Sequence, residues 1–105
     1  MFGKTTAFLI GMGLLSCNPA LAAGNPEAGK AASTVCAACH GAKGISATGA
    51  FPNLAGQKAD YLAAQLKAFR SKTRANPVMA PMAASLKDED IDNLSAYFAS
   101  LKACE

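Results

Sequence analysis

The sequence predicts an all-α domain of three main helices and long loops built around a bound cofactor. Three observations predict it. One segment opens on a helix-start signature, two others carry apolar residues at helical spacing, and no stretch reads as a convincing strand. Between these segments lie two long stretches punctuated by glycine or proline. Finally, a chain of 105 residues with 7% aromatics has little apolar surface to bury. A domain this small needs a staple, and a buried cofactor gives long irregular loops something to pack on.

The elements follow in order. Residues 1–22 read as a cleaved secretory signal peptide: Lys4, an apolar run over 7–15, then Pro19-Ala20-Leu21-Ala22 with small residues at cleavage spacing. That apolar run is too short to span a bilayer, which takes about 20 residues. Cleavage after Ala22 leaves a single domain, 23–105. A competing signal is Leu14-Leu15-Ser16-Cys17, which has the form of a lipoprotein processing site and would tie the protein to a membrane through a lipidated Cys17. Asn25-Pro26-Glu27 starts the first helix with a cap, a proline at the first helical position and an acid in the first turn. It is expected to run through Gly29, Ala32 and Val35 to the cysteines. A loop with Gly41, Gly44, Gly49, Pro52 and Gly56 follows. The second helix is expected over 58–71, with Leu62, Leu66 and Phe69 on one face and Tyr61 and Gln65 beside them. Residues 72–86, with Asn76-Pro77 and Pro81, read as a loop. The last helix is expected over 88–102, with the stripe Ile91, Leu94, Phe98 and Leu101 and an acidic first turn.

Charge excludes some functions. The chain carries a net charge of +3, and of its Lys and Arg residues only Lys4 lies in the leader. Bases gather at Lys58, Lys67, Arg70, Lys72 and Arg74, and acids at Asp88-Glu89-Asp90-Ile91-Asp92. Neither block interleaves bases with stacking aromatics, so nucleic acid is not an expected partner. Such polarity suits the steering of a protein partner, and equally suits ordinary helix faces. No nucleophile stands with a nearby base, and no catalysis is expected.

The chemistry lies in Cys36-Ala37-Ala38-Cys39-His40, the attachment signature of a c-type haem. Two thiols three residues apart at the end of a helix can add to the two vinyl groups along one side of a porphyrin. The adjacent His40 then lies under the ring as an iron ligand. A redox-active Cys-x-x-Cys would need a βαβ pattern, and a zinc site a fourth ligand. His40 is the only histidine, so a second axial ligand of the same kind is unavailable within one chain. Met79 and Met82, flanking Ala80-Pro81, are the candidates, since a thioether is a soft donor and His/Met ligation raises the reduction potential. Export implies an oxidising compartment, the periplasm, where Cys104 has no partner in the sequence.

With these residues in family order, the chain resembles a class I c-type cytochrome, of the small bacterial single-haem kind and the c-four/c-five type subclass. The resemblance rests on Gly29 in the first helix, Cys36 to His40, Phe51-Pro52-Asn53-Leu54-Ala55-Gly56-Gln57, Met79-Ala80-Pro81-Met82 and Leu86-Lys87-Asp88-Glu89-Asp90-Ile91. It implies the class I cytochrome c fold, with one haem c held through Cys36 and Cys39. Family spacing selects Met79, nine residues before Asp88, as the second iron ligand beside His40. It also implies that Pro52 offers its carbonyl to the free ring N–H of His40, fixing the imidazole and raising its basicity. Gly29 is expected to let the first helix cross the last near Tyr97, and Arg74 and Asn76 fall where relatives contact the haem propionates. Lys87 departs from the serine that usually caps the last helix, so Asp88 is expected to cap instead. The implied function is a periplasmic one-electron carrier working between redox partner proteins, an electron donor and a terminal oxidase or reductase. Alternatives are a haem domain whose open sixth position binds gas or reacts with peroxide, and a haem subunit fixed in a larger oxidoreductase.

Overall fold

Helix α1 (Pro26–Ala32) begins where the sequence places it. Asn25 Oδ1 accepts from the Glu27 and Ala28 N–H groups at 2.9 and 3.3 Å, meeting two donors that a helix start leaves without intrahelical partners. The computed structural model describes Gly3 and residues 23–104; Cys17 and the cleavage site after Ala22 lie outside them.

The first helix does not run unbroken to the cysteines. It stops at Ser33, and α2 (Thr34–His40) starts afresh. Two consecutive hydroxyls cause the break. Ser33 Oγ donates to the Lys30 carbonyl at 2.7 Å and Thr34 Oγ1 to that of Ala31 at 3.3 Å, drawing both away from regular helical bonding. Gly41 then ends α2 at φ 85°, a left-handed value that favours glycine, and its N–H bonds the Ala37 carbonyl at 2.9 Å.

Helix α3 (Ala59–Arg70) is one residue shorter at each end than expected, with Leu62 and Phe69 buried and Leu66 half-buried. The stretch after it is not wholly loop. It contains α4 (Met79–Ala83), a single turn that begins on one candidate ligand and includes the other. Pro81 fits there because an N–H in the first turn has no intrahelical partner to lose. Helix α5 (Asp88–Ser100) stops short of Lys102, where Leu101 turns extended. Asp88 does not cap it. Lys87 holds the N-cap position, and the Asp90 carboxylate reaches back to accept the Lys87 N–H at 2.9 Å. Asp88 instead pairs with Arg70 at 2.6 Å.

All the described elements are helices or loops, the architecture expected of a class I cytochrome. Helix α5 is the centre: it packs against α1 on one side and α3 on the other, and α4 rests on α3. At the α1–α5 crossing, a Cβ on Gly29 would overlap the Asn93 carbonyl and stand 2.7 Å from Tyr97 Cβ, so no side chain fits. The Asn25 N–H donates to Asn93 Oδ1 at 2.8 Å beside it. Leu62, Leu94, Tyr97 and Phe98 form the core, with Cys36, Leu54, Leu66, Leu86 and Leu101 packed on its edge. Gly56 N–H to the Phe98 carbonyl, 3.0 Å, ties the long loop to α5.

Candidate functional site

Between α2, the 50–57 loop, α3, the 74–86 segment and α5 lies a cavity of about 490 Å³. Cys36, Cys39, His40, Pro52 and Met79 all line it, so the fold brings the sequence-selected residues to one place. Met82 lines it too, 44% exposed, whereas Met79 is half-buried; the cavity wall includes both thioethers. A second hollow, about 700 Å³, lies between α1 and the C-terminal end of α5. It holds Lys30, Lys43 and Lys102 but no thiol, imidazole or thioether, and has no part in this chemistry.

His40 is 6% exposed, at the last position of α2. Its Nδ1 lies 2.8 Å from the Pro52 carbonyl oxygen. A carbonyl can only accept, so Nδ1 carries the hydrogen and Nε2 keeps its lone pair for a metal. Phe51 stands edge-on to the imidazole, ring centroids 6.4 Å apart. Helical spacing places Cys36 and Cys39 three residues apart on neighbouring positions of one face. Both are free thiols and half-buried, and burial pushes the Cys36 thiol above its ordinary range, holding it protonated. Among the described residues no three His, Cys, Asp or Glu side chains gather as a metal-chelating group, which gives the zinc reading no support.

Leu54, Leu62, Leu66, Phe69, Leu94 and Phe98 make the remaining wall largely apolar. Among the described residues, Arg74 is the one Lys, Arg, Asp or Glu in it. Its guanidinium stacks 4.6 Å from the Phe69 ring centroid and donates to Gln65 Oε1 at 2.7 Å. An apolar slot with two thiols, an imidazole lone pair, thioethers and one fixed cation suits a flat, mostly apolar macrocycle bearing two carboxylates. The residues present fit haem c.

Two features escaped sequence reasoning. Val35, Phe51, Tyr61, Val78 and Met82 are the exposed large hydrophobics among the described residues, and every one rims this cavity. No single periodicity marks them, because they come from α2, the 50–57 loop, α3 and the α4 turn, with only Val78 and Met82 sharing one element. Asn76, expected at the propionates, uses its Oδ1 on the backbone N–H groups of Val78 and Met79. Its signal was an Asn three residues before a helical Met, the spacing of a cap.

A family model described as cytochrome c matches residues 26–102. Cytochrome c4 of Thiocapsa roseopersicina is 46% identical over 78 residues, covering 73% of this chain and 40% of that protein. Cytochrome c-554(548) of Halomonas halodenitrificans is 42% identical, covering 74% of this chain and 98% of that one. Among solved structures, reduced recombinant cytochrome c4 from Pseudomonas stutzeri superposes with a TM-score of 0.73 at 38% identity, over 76% of this chain and 47% of that chain. The chain thus spans under half the length of the cytochrome c4 proteins it matches, and nearly all of the shorter relative.

Proposed function

The chain belongs to the cytochrome c family; from that premise we propose that it carries electrons on covalently bound haem c as a periplasmic shuttle between redox proteins, with His40 and Met79 as the axial ligands. The single observation that carries this reading is the 2.8 Å approach of His40 Nδ1 to the Pro52 carbonyl. It supports Nε2 as the nitrogen that would ligate iron, with the ring held from behind. Residues 1–22 act in this reading as the export leader, with 23–105 the mature domain.

When bound, haem supplies a reversible one-electron couple at iron. This chain's residues do the rest. Cys36 and Cys39 would hold the group covalently through their sulfur atoms. Pro52 keeps His40 oriented and more basic. The apolar wall excludes water, and Arg74 offers a positive charge to the carboxylate edge. The rim of Val35, Phe51, Tyr61, Val78 and Met82 offers redox partners an apolar docking face, with Arg74 as the cavity's fixed charge. Family position supports Met79 over Met82, and its lesser exposure agrees.

The test is an absorption spectrum of haem-loaded protein, oxidised and reduced, with and without carbon monoxide. The expected result is a low-spin spectrum with a weak red methionine–iron band and no response to the gas. The band should vanish in Met79→Ala and survive in Met82→Ala. A high-spin spectrum that shifts with carbon monoxide would replace the shuttle with an open haem site that binds gas or reacts with peroxide.

A further inference from the structure

We propose that Asn76 is a positioning residue for the axial methionine: one side chain and its own carbonyl clamp the turn from which Met79 projects. The proposal rests on the reading of Met79 as ligand. Helix α4 is five residues long, far too short to hold its shape alone. Val78, at its N-cap position, makes no side-chain cap bond. Asn76 takes over that role from two residues further back. Its Oδ1 accepts the Val78 N–H at 2.9 Å and the Met79 N–H at 2.8 Å, and its backbone carbonyl accepts the Ala80 N–H at 3.0 Å. Three consecutive donors therefore end on one residue, and the next position, Pro81, has none to satisfy.

The surroundings concentrate the constraint at Asn76. The segment is tied to α3 on both sides, by the Arg74 N–H to the Ala68 carbonyl at 3.1 Å and by Arg70 Nη1 to the Leu86 carbonyl at 2.9 Å. Between those ties, Ala83 is fully buried and anchors the end of α4. The start of α4 has no such anchor: Val78 is 52% exposed and Met79 only half-buried. The Asn76 bonds are what hold the Met79 backbone in place. A weak ligand needs this, because each loose conformation of the turn counts against the bound one.

Aspartate separates this role from a contact between the Asn76 amide and a haem carboxylate. Asp keeps the acceptor that caps the turn, and caps as well as Asn does. It loses the amide donor and would repel a carboxylate. The experiment compares haem-loaded wild type, Asn76→Ala, Asn76→Asp and Met79→Ala by red-band intensity, by the rate of carbon monoxide uptake of the reduced protein and by denaturant midpoint. Losing a cap should raise the methionine-off population, and so the uptake rate, roughly five- to tenfold in Asn76→Ala. Asn76→Asp should stay within about twofold of wild type on the same scale. The proposal is overturned if Asn76→Ala lowers the denaturant midpoint yet takes up carbon monoxide as wild type does, or if Asn76→Asp is impaired as much as Asn76→Ala. Should Asn76→Ala fail to mature, Asn76→Asp is read against wild type instead, and an uptake rate raised about fivefold or more overturns the proposal. Retention of the red band in Met79→Ala would instead remove the ligand reading on which the proposal stands.

Discussion

Ser95 sits on α5 with 2% of its surface exposed, and its hydroxyl has no hydrogen-bond partner. A buried donor without an acceptor loses hydration and recovers nothing, at about 1–3 kcal/mol. Ser95→Ala should therefore raise stability by about 1 kcal/mol, read as a higher denaturant midpoint at unchanged slope. Gly29 is the opposite case, where nothing can be added. A methyl there meets the Asn93 backbone and Tyr97 Cβ, neither the free end of a flexible chain. Gly29→Ala should cost about 1–3 kcal/mol by forcing α1 off α5, with thermal unfolding as the check. The Gly29 contact was legible in advance through family position. The Ser95 defect was not, since a serine within an amphipathic pattern gives no sign of whether its hydroxyl will find a carbonyl.

At the scale of elements, helices with both a start signal and a stripe were legible. Asn25-Pro26-Glu27 and the stripe Ile91, Leu94, Phe98 gave α1 and α5 their places, with those three α5 residues buried. The errors arose where side chains compete with the backbone. Ser33 and Thr34 bond backward and split the first helix, Asp90 rather than Asp88 closes the start of α5, and Asn76 winds a turn inside a supposed loop. Each depends on one rotamer, which hydrophobic periodicity does not record. The Arg70–Asp88 pair joins the end of α3 to the start of α5, and the Arg70 hydrogen bond and charge draw the Asp88 carboxyl below its ordinary 3.8. A carboxylate whose folded pKa is lowered contributes stability above 3.8, and the contribution disappears as pH falls through the lowered value. Asp88→Asn should therefore lower the unfolding midpoint modestly at neutral pH, with the gap closing on acidification below that range and narrowing in added salt. Unfolding curves of both proteins across pH 2–7 would show it; a constant gap at every pH would exclude the ion pair as its cause.

The whole molecule is a thin shell around its cavity. Among the described residues the buried hydrophobics are three alanines and six larger side chains, from Leu62 to Phe98, and several of them also form the cavity wall. The candidate site was legible because its attachment signature is compressed into five consecutive residues and family position supplied Pro52 and Met79; the apolar rim was not, because only the closed fold assembles it. That rim makes a prediction about encounter. With Arg74 the one Lys, Arg, Asp or Glu among the described residues lining the cavity, partner reaction rates should change less than about tenfold between low and physiological salt, where charge-steered pairs change far more. Val78→Asp should slow the reaction while leaving the reduction potential nearly unmoved, as stopped-flow kinetics and redox titration would report. The meeting of α1 with α5 has a further consequence, one of timing. Asn25 and Asn93 are 68 residues apart in the chain, so this contact closes a loop through almost the entire domain. Synthesis delivers Cys36, Cys39 and His40 long before Leu94, Tyr97 and Phe98, whose cluster Cys36 packs against. The Cys36 thiol is born uncovered, and α5, which emerges later, brings the side chains that close against it.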